Sequence, residues 1–254
     1  MKKRTIRLIL IVFCLITIVI GANVASKNII VNEIKIDIKY LSEDKMLLAA
    51  HVEQDLIAHF GNFTGRKRKD VPQEEIEQYL NKMNFVETSK INLGLLGKLD
   101  ITIKQSIPIA KIIGKNNKQV YLSEDGKILQ TIESIAANVV IINGNIPIAK
   151  TAKDTSDSPL LLNLYSLAYK LYNDELLRNQ ISQVYFNKNT LDMLPMEGDY
   201  TIAMSSFDNL DNKLKRLVAF YTQGEISNEQ LKSVNRIDLS FDNQVIITKK
   251  KGVK

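Results

Sequence analysis

Histidines, cysteines and paired carboxylates carry most acid–base, nucleophilic and metal chemistry at neutral pH. The 254-residue chain has two histidines, His51 and His59, and one cysteine, Cys14. The histidine spacing is a little over two helical turns at about 3.6 residues per turn, so a helix would set both imidazoles on roughly one face. A zinc-like ion takes three or four ligands. Two histidines fall short of that, so they read as surface or half-buried residues, and no metal or cofactor is expected. Cys14 lies inside an apolar run, which removes it as a solvent-facing nucleophile, and a lone cysteine forms no intrachain disulfide. The chain lacks G-x-S-x-G, H-E-x-x-H, a Walker loop and G-x-G-x-x-G. Among the acidic stretches, "SEDGK" reads as a hairpin turn. "FDNLDNK" reads as a helix start with Asp208 near the positive end of the dipole. A carboxylate pair for glycoside hydrolysis stays open, but tryptophan is absent and aromatics are 7%, which leaves no sugar-stacking platform. The expectation is a non-enzyme without a small-molecule substrate.

The formal charge is +6, yet Lys2, Lys3, Arg4 and Arg7 at one end and Lys249, Lys250, Lys251 and Lys254 at the other outweigh it, leaving −2 for residues 8–248. A nucleic-acid binder needs a basic stripe on a folded face, so no nucleic acid is expected. One further cluster, "RKRK" at Arg66, Lys67, Arg68 and Lys69, reads as a solvated loop, with anionic headgroups or wall polymer as candidate neighbours.

Residues 8–25 form an eighteen-residue run without charge. At 1.5 Å per residue it is about 27 Å long, close to a bilayer core. Four positive charges precede it and only Lys27 closely follows. The positive-inside rule then keeps residues 1–7 cytoplasmic and exports the remainder. A cleaved signal peptide and a lipoprotein at Cys14 compete with this reading. The run exceeds a usual h-region, and Phe13 is bulky for a lipobox. The expectation is a single-pass anchor in the inner membrane with the bulk of the chain in the periplasm.

Beyond the anchor, Ile34, Ile36, Ile38 and Tyr40 alternate with charged residues as in a half-buried strand. Ser42 is a candidate cap for a helix carrying Leu48, Val52, Leu56 and Phe60, with Gly61 as its stop. A second helix follows Pro72 through Ile76, Tyr79, Leu80 and Met83. Strands at 86–93 and 99–105 flank a "GLLG" hairpin. The order is β-α-α-β-β, enough for an α+β module at 30–105.

A second, β-rich α+β domain is expected at 106–249, before a basic tail at 250–254. It opens with a hairpin around Asp125-Gly126, then the strand "NVVIINGNI". A helix follows, capped by Ser158 with Pro159 first, its stripe formed by Leu161, Leu164, Ala168 and Leu171. Strands near 181–186 and 200–204 precede a helix capped by Ser206, running from Phe207 past Tyr221 and closed by Gly224. A last hairpin, "RIDLSFDNQVIITKK", puts Ile237, Leu239 and Phe241 on one face and turns at Asp242-Asn243. Pro108 interrupts an apolar run where a ladder would want its N–H. It therefore marks a joint between domains, with Gln105 and Ala110 beside it.

These pieces in this order resemble the bacterial cell-division family FtsQ/DivIB. "LDITIKQSIPIAKII" is similar to the family's last POTRA strand running into a Pro-[Ile/Val]-Ala-Arg segment, with Pro108, Ile109, Ala110 and Lys111 in those places. "YLSEDGKIL", "LPMEGDYTI" and the final hairpin resemble later strands, most like versions from Bacteroidetes-type bacteria. Ser106 stands where the family often has Arg. The resemblance implies a POTRA domain at 30–105 and a scaffold without catalysis. It also implies FtsB-like and FtsL-like membrane proteins as partners. The physical route is strand addition along the last hairpin strand, taken as 244–249. Ile237, Leu239, Gln244, Val245, Ile246 and Ile247 are the candidate partner-binding residues, with core packing as the alternative for each. A POTRA-bearing envelope assembly or transport factor is the alternative function.

Overall fold

The computed structural model describes residues 12–18, 21, 26–132, 136–149, 153–188, 190–223 and 228–250. Residues 12–18 of the apolar run are helical; most of the rest of 8–25, and residues 1–7 and 251–254, lie outside the described residues. Among the described residues no helix is long and apolar enough to cross a membrane. The fold is mixed α+β and divides into two compact units, Met1–Gln105 and Ser106–Lys254.

In the first unit, strand β1 (Glu33–Lys39) is followed by helices α1 (Ala49–Phe60) and α2 (Gln73–Leu80), then strands β2 (Val86–Leu93) and β3 (Lys98–Gln105). The sheet order is β1-β3-β2, with β3 parallel to β1 and antiparallel to β2. Alternation sets the faces. Leu99, Ile101 and Ile103 of β3 are fully buried, whereas Ile34, Ile36 and Ile38 of β1 are half-buried. Val52 and Leu56 of α1 and Ile76 and Leu80 of α2 are buried as well. The helix starts later than its sequence suggests. Ser42 does not cap it; α1 begins at Ala49 behind Leu48, which makes no side-chain cap bond.

The segment leading into α1 is held instead by a residue far along the chain. Gln105, buried at the end of β3, accepts hydrogen bonds through Oε1 from the amides of Met46 (2.7 Å) and Leu47 (3.0 Å). Its Nε2 donates to the Asp44 carbonyl at 2.8 Å. One amide side chain thus satisfies three backbone groups of the segment entering α1, groups that cost free energy when buried unmet.

Among the described residues the second unit holds one nine-stranded sheet. Its strands are β4 (Pro108–Ile113), β5 (Gln119–Ser123), β6 (Ile128–Gln130), β7 (Val140–Gly144), β8 (Ile181–Asn187), β9 (Thr190–Pro195), β10 (Thr201–Met204), β11 (Val234–Asp238) and β12 (Ile246–Lys249). The order is β12-β11-β10-β9-β8-β7-β4-β5-β6. Helices α3 (Pro159–Asn173) and α4 (Glu175–Gln180) lie between β7 and β8; α5 (Leu210–Gln223) and α6 (Asn228–Ser233) lie between β10 and β11. Both helix-containing links join parallel neighbours, which a tight turn cannot connect. Leu161, Leu164, Leu167, Ala168 and Leu171 of α3 and Leu214 and Leu217 of α5 share one core with the sheet. Pro159 takes the first position of α3 behind Ser158, whose side chain makes no cap bond.

Pro108 opens this sheet rather than closing the first one. The first unit's ladder ends at Gln105, and Pro108 is the first residue of β4, paired with Ser123 across a bulge that separates it from Ala110. Pairing of β4 with β7 begins only at Ala110, so the proline faces no ladder on that side. A strand start beside a bulge is where a missing N–H costs least. Ala110 itself is fully buried between Leu122 and Val140.

Gly144 ends β7 at φ 127°, and a Cβ there would run into the Phe186 carbonyl oxygen of β8. Gly144→Ala is therefore expected to part β7 from β8 and lower the second unit's stability by about 2–4 kcal/mol. A denaturant titration comparing the variant with the parent chain checks it.

Candidate partner-binding edge

The last two strands are antiparallel, with Val234 opposite Lys249, Arg236 opposite Thr248, Ile237 opposite Ile247 and Asp238 opposite Ile246, and a bulge between Val234 and Arg236. The strand β12 is two residues shorter than expected, since Gln244 and Val245 belong to the preceding loop. That loop is wider than a tight turn. Asn243 adopts φ 58°, a left-handed conformation that asparagine tolerates. Phe241 does not share the buried face of Ile237 and Leu239; it is exposed.

The candidate residues sort by burial. Ile237 and Leu239 are fully buried in the second unit's core, so they hold the strand and offer no side-chain surface to a partner. Val245 is half-buried against that core, and Gln244 is exposed. Ile246 and Ile247 keep 38% and 40% of their surface. Among the described residues β12 has one neighbouring strand, β11, so its outer backbone edge is unpaired. The opposite edge of the sheet differs. Beside β6, the Ile128 amide donates to the Lys153 carbonyl at 2.8 Å, and Lys127 bridges Asp154. Chain from 153–154 covers the start of that edge. Lysine at 249 and 250 near β12 is the kind of charge that limits unwanted edge pairing.

A residue passed over in the sequence organises this hairpin. Arg216, half-buried on α5, donates through Nη1 to the carbonyls of Phe241 and Gln244 and through Nη2 to Leu239 at 3.3 Å. Its Nε donates to the Asn212 carbonyl of its own helix at 3.3 Å. The guanidinium fork thereby ties the loop before β12 to α5, whose Leu214 and Leu217 share the core with Ile237 and Leu239. Arg216→Ala is expected to raise amide hydrogen exchange at 239–249 by tenfold or more while leaving residues 30–105 unchanged. Lysine should not rescue it, because one ammonium cannot reproduce a planar fork spread over three loop carbonyls. Exchange mass spectrometry on the three chains reads the result. Nothing local in the sequence pairs position 216 with 239–244.

Two other polar groups set the helix beneath. Ser206 does not cap α5, which begins at Leu210; its carbonyl and Oγ instead accept from buried Lys213 Nζ, at 3.0 and 3.2 Å. Gly224, expected to close that helix, lies outside the described residues. The Tyr200 and Tyr221 hydroxyls are 2.9 Å apart. Burial pushes the Tyr221 phenol far up, with the Tyr200 hydroxyl adding to the effect, so it stays protonated.

The chemistry-bearing residues belong to the first unit. His59 stacks on Tyr79 with ring centroids 4.3 Å apart, and His51 is exposed. Asp55, one helical turn from each histidine, accepts from the Tyr79 hydroxyl at 2.8 Å. Among the described residues no three His, Cys, Asp or Glu gather at metal-binding range. Cys14 is an exposed free thiol on the helical residues 12–18.

The family model described as FtsQ/DivIB, C-terminal related, matches residues 107–248, more than half of the chain. The chain belongs to the FtsQ/DivIB family. The match begins at the second residue of the second unit and runs into β12, so the final hairpin is part of what the family shares. Membership gives the protein a role in bacterial cell division, among the protein partners of the division machinery. No curated protein matches the chain.

Proposed function

We propose that this FtsQ/DivIB family protein is a non-catalytic scaffold that links the division ring to septal wall synthesis. Residues 8–25 anchor it in the inner membrane with the N-terminus in the cytoplasm. The first unit serves as a POTRA-like module in the periplasm. The second captures a strand from FtsB-like or FtsL-like membrane proteins along the outer edge of β12. The observation that carries this reading is the unpaired backbone edge of β12, held in place by Ile237 and Leu239 below and Arg216 behind. An added strand would gain main-chain hydrogen bonds there, with Ile246 and Ile247 supplying side-chain selectivity.

A second reading, an envelope assembly or transport factor, draws on the first unit, whose outer strands β1 and β2 each have one neighbour among the described residues. Depletion of the protein in its native host separates the two. Filaments with stalled septa and an intact envelope support the division scaffold. Normal septation with a leaky envelope or missing outer-membrane proteins overturns it in favour of assembly.

A further inference from the structure

The strand order of the first unit brings three separate pieces of sequence to one end. Parallel pairing sets Glu33 of β1 opposite Lys98 of β3, so the chain enters β1 beside the hairpin that joins β2 to β3. On that side the Asn32 amide donates to the Gly97 carbonyl at 2.8 Å, and Asn32 Nδ2 to the Leu96 carbonyl at 3.2 Å. Gly97 is held at φ 80°, and a Cβ there would collide with the Ile30 carbonyl, so the hairpin lies close against the incoming chain.

On the other side lies the RKRK segment, which is bonded to the chain rather than loose in solvent. The Val31 amide donates to the Arg66 carbonyl at 2.9 Å, the Gly65 amide to Val31 at 2.8 Å and the Arg68 amide to Ile29 at 2.7 Å. Arg68 Nη1 reaches Ser26 Oγ at 3.4 Å, one residue past the apolar run. Arg66 turns inward and donates from Nη2 to the Phe60 carbonyl at 2.8 Å, an orphan acceptor at the end of α1. Lys67 and Lys69 are exposed, as is Lys27. In residues 26–31 and 65–70 the charged side chains are these, Arg66, Arg68 and a single acid, Asp70.

The same end carries apolar surface that the fold leaves uncovered. Leu95 and Leu96, at the hairpin tip, keep 77% and 89% of their surface, and Ile30 keeps 49%. A turn needs neither leucine, and polar residues are the usual choice at an exposed tip. Two exposed leucines flanked by cations are what a lipid–water interface accepts. The apolar tips enter the acyl boundary, and the amines meet anionic headgroups.

We infer that this end of the first unit docks on an anionic bilayer, with Leu95 and Leu96 inserted and Lys27, Lys67, Arg68 and Lys69 on the headgroups. The inference rests on the anchor reading of 8–25, which puts Ser26 at the membrane surface and the basic turn within hydrogen-bond reach of it. The far end of β3, where the chain leaves for the second unit, is eight residues away, about 25 Å along the strand. Docking would therefore fix the direction in which the module leads away from the bilayer.

The chain has no tryptophan, so Leu96→Trp installs a single reporter. The full chain is reconstituted in phosphatidylcholine vesicles with and without phosphatidylglycerol. On anionic vesicles the indole emission should shift to the blue and be quenched by lipids brominated on their acyl chains. Half-molar salt or the added changes Lys67→Gln and Lys69→Gln should weaken docking about fivefold per cation removed. A carbonate wash tests the anchor separately. Retention with a solvent-like, unquenched indole overturns the docking and leaves the anchor standing. Loss of the chain at the wash overturns both. Equal quenching on neutral vesicles overturns the part assigned to the cations.

Discussion

Ile246→Pro and Ile247→Pro are both expected to abolish capture of a division partner, and only one of them should disturb the protein's own fold. Successive residues of an antiparallel edge strand turn their N–H groups alternately toward the neighbour and toward solvent. The register between β11 and β12 is regular from Ile237 opposite Ile247 to Asp238 opposite Ile246, since the bulge lies at Val234 and Arg236. One of the two isoleucines therefore bonds inward and the other outward. At the inward position proline removes a ladder bond and loosens the hairpin. At the outward position it leaves the sheet intact and removes only a donor that an incoming strand would use. The ring also blocks close approach, so capture should fall at least about tenfold. Co-purification of the FtsB-like and FtsL-like partners, paired with a denaturant titration of each variant, reads both effects. Undiminished capture by the variant that keeps parental stability would sink strand addition at β12.

The largest effect on stability is expected from Gln105→Leu. Leucine fills the same space but removes the acceptor for the Met46 and Leu47 amides and the donor to the Asp44 carbonyl. Each buried backbone group left unmet costs about 1–3 kcal/mol, so the first unit should lose about 3 kcal/mol or more. Gln105→Glu gives a sharper signature. A carboxylate accepts both amides, yet its second oxygen faces the Asp44 carbonyl, so the protonated acid is the better fit. Its folded pKa is then raised above the unfolded value of about 4.3. A raised folded pKa contributes stability that is full below the unfolded pKa and fades as pH rises through the folded one. Relative to the parent chain, the glutamate variant should therefore be closest in stability near pH 4 and fall behind toward pH 7. A deficit that does not change with pH would mean that the acid makes no contact with the Asp44 carbonyl.

Several parts of this architecture could be read in the linear chain. The alternation of Leu99, Ile101 and Ile103 with polar neighbours sets the buried face of β3. The spacing of Leu161, Leu164, Ala168 and Leu171 sets the buried stripe of α3, and Pro159 marks its first turn. The order of the parts around Pro108 sufficed to point to the family. The hairpin strand β9 left a weaker trace, because Thr190–Pro195 is short and follows β8 closely. The caps expected of Ser42 and Ser206 failed because each helix starts farther along the chain than the serine can reach, at Ala49 and Leu210. Gln105 bonds the backbone ahead of α1, and the Ser206 hydroxyl accepts from the Asp208 amide and from Lys213 Nζ.

Local periodicity thus wrote most of the elements and their buried faces into the sequence, because a side chain's face follows from the dihedral repeat of its own segment. Which strands pair, which edge stays open, and what gathers at either end of a unit depend on contacts between residues tens of positions apart. Arg216 reaching Leu239, Gln105 reaching Met46, and the RKRK turn lying along Ile29–Val31 are of this kind. No short-range pattern encodes them; they exist only once the chain has closed its loops and its apolar faces have chosen their partners.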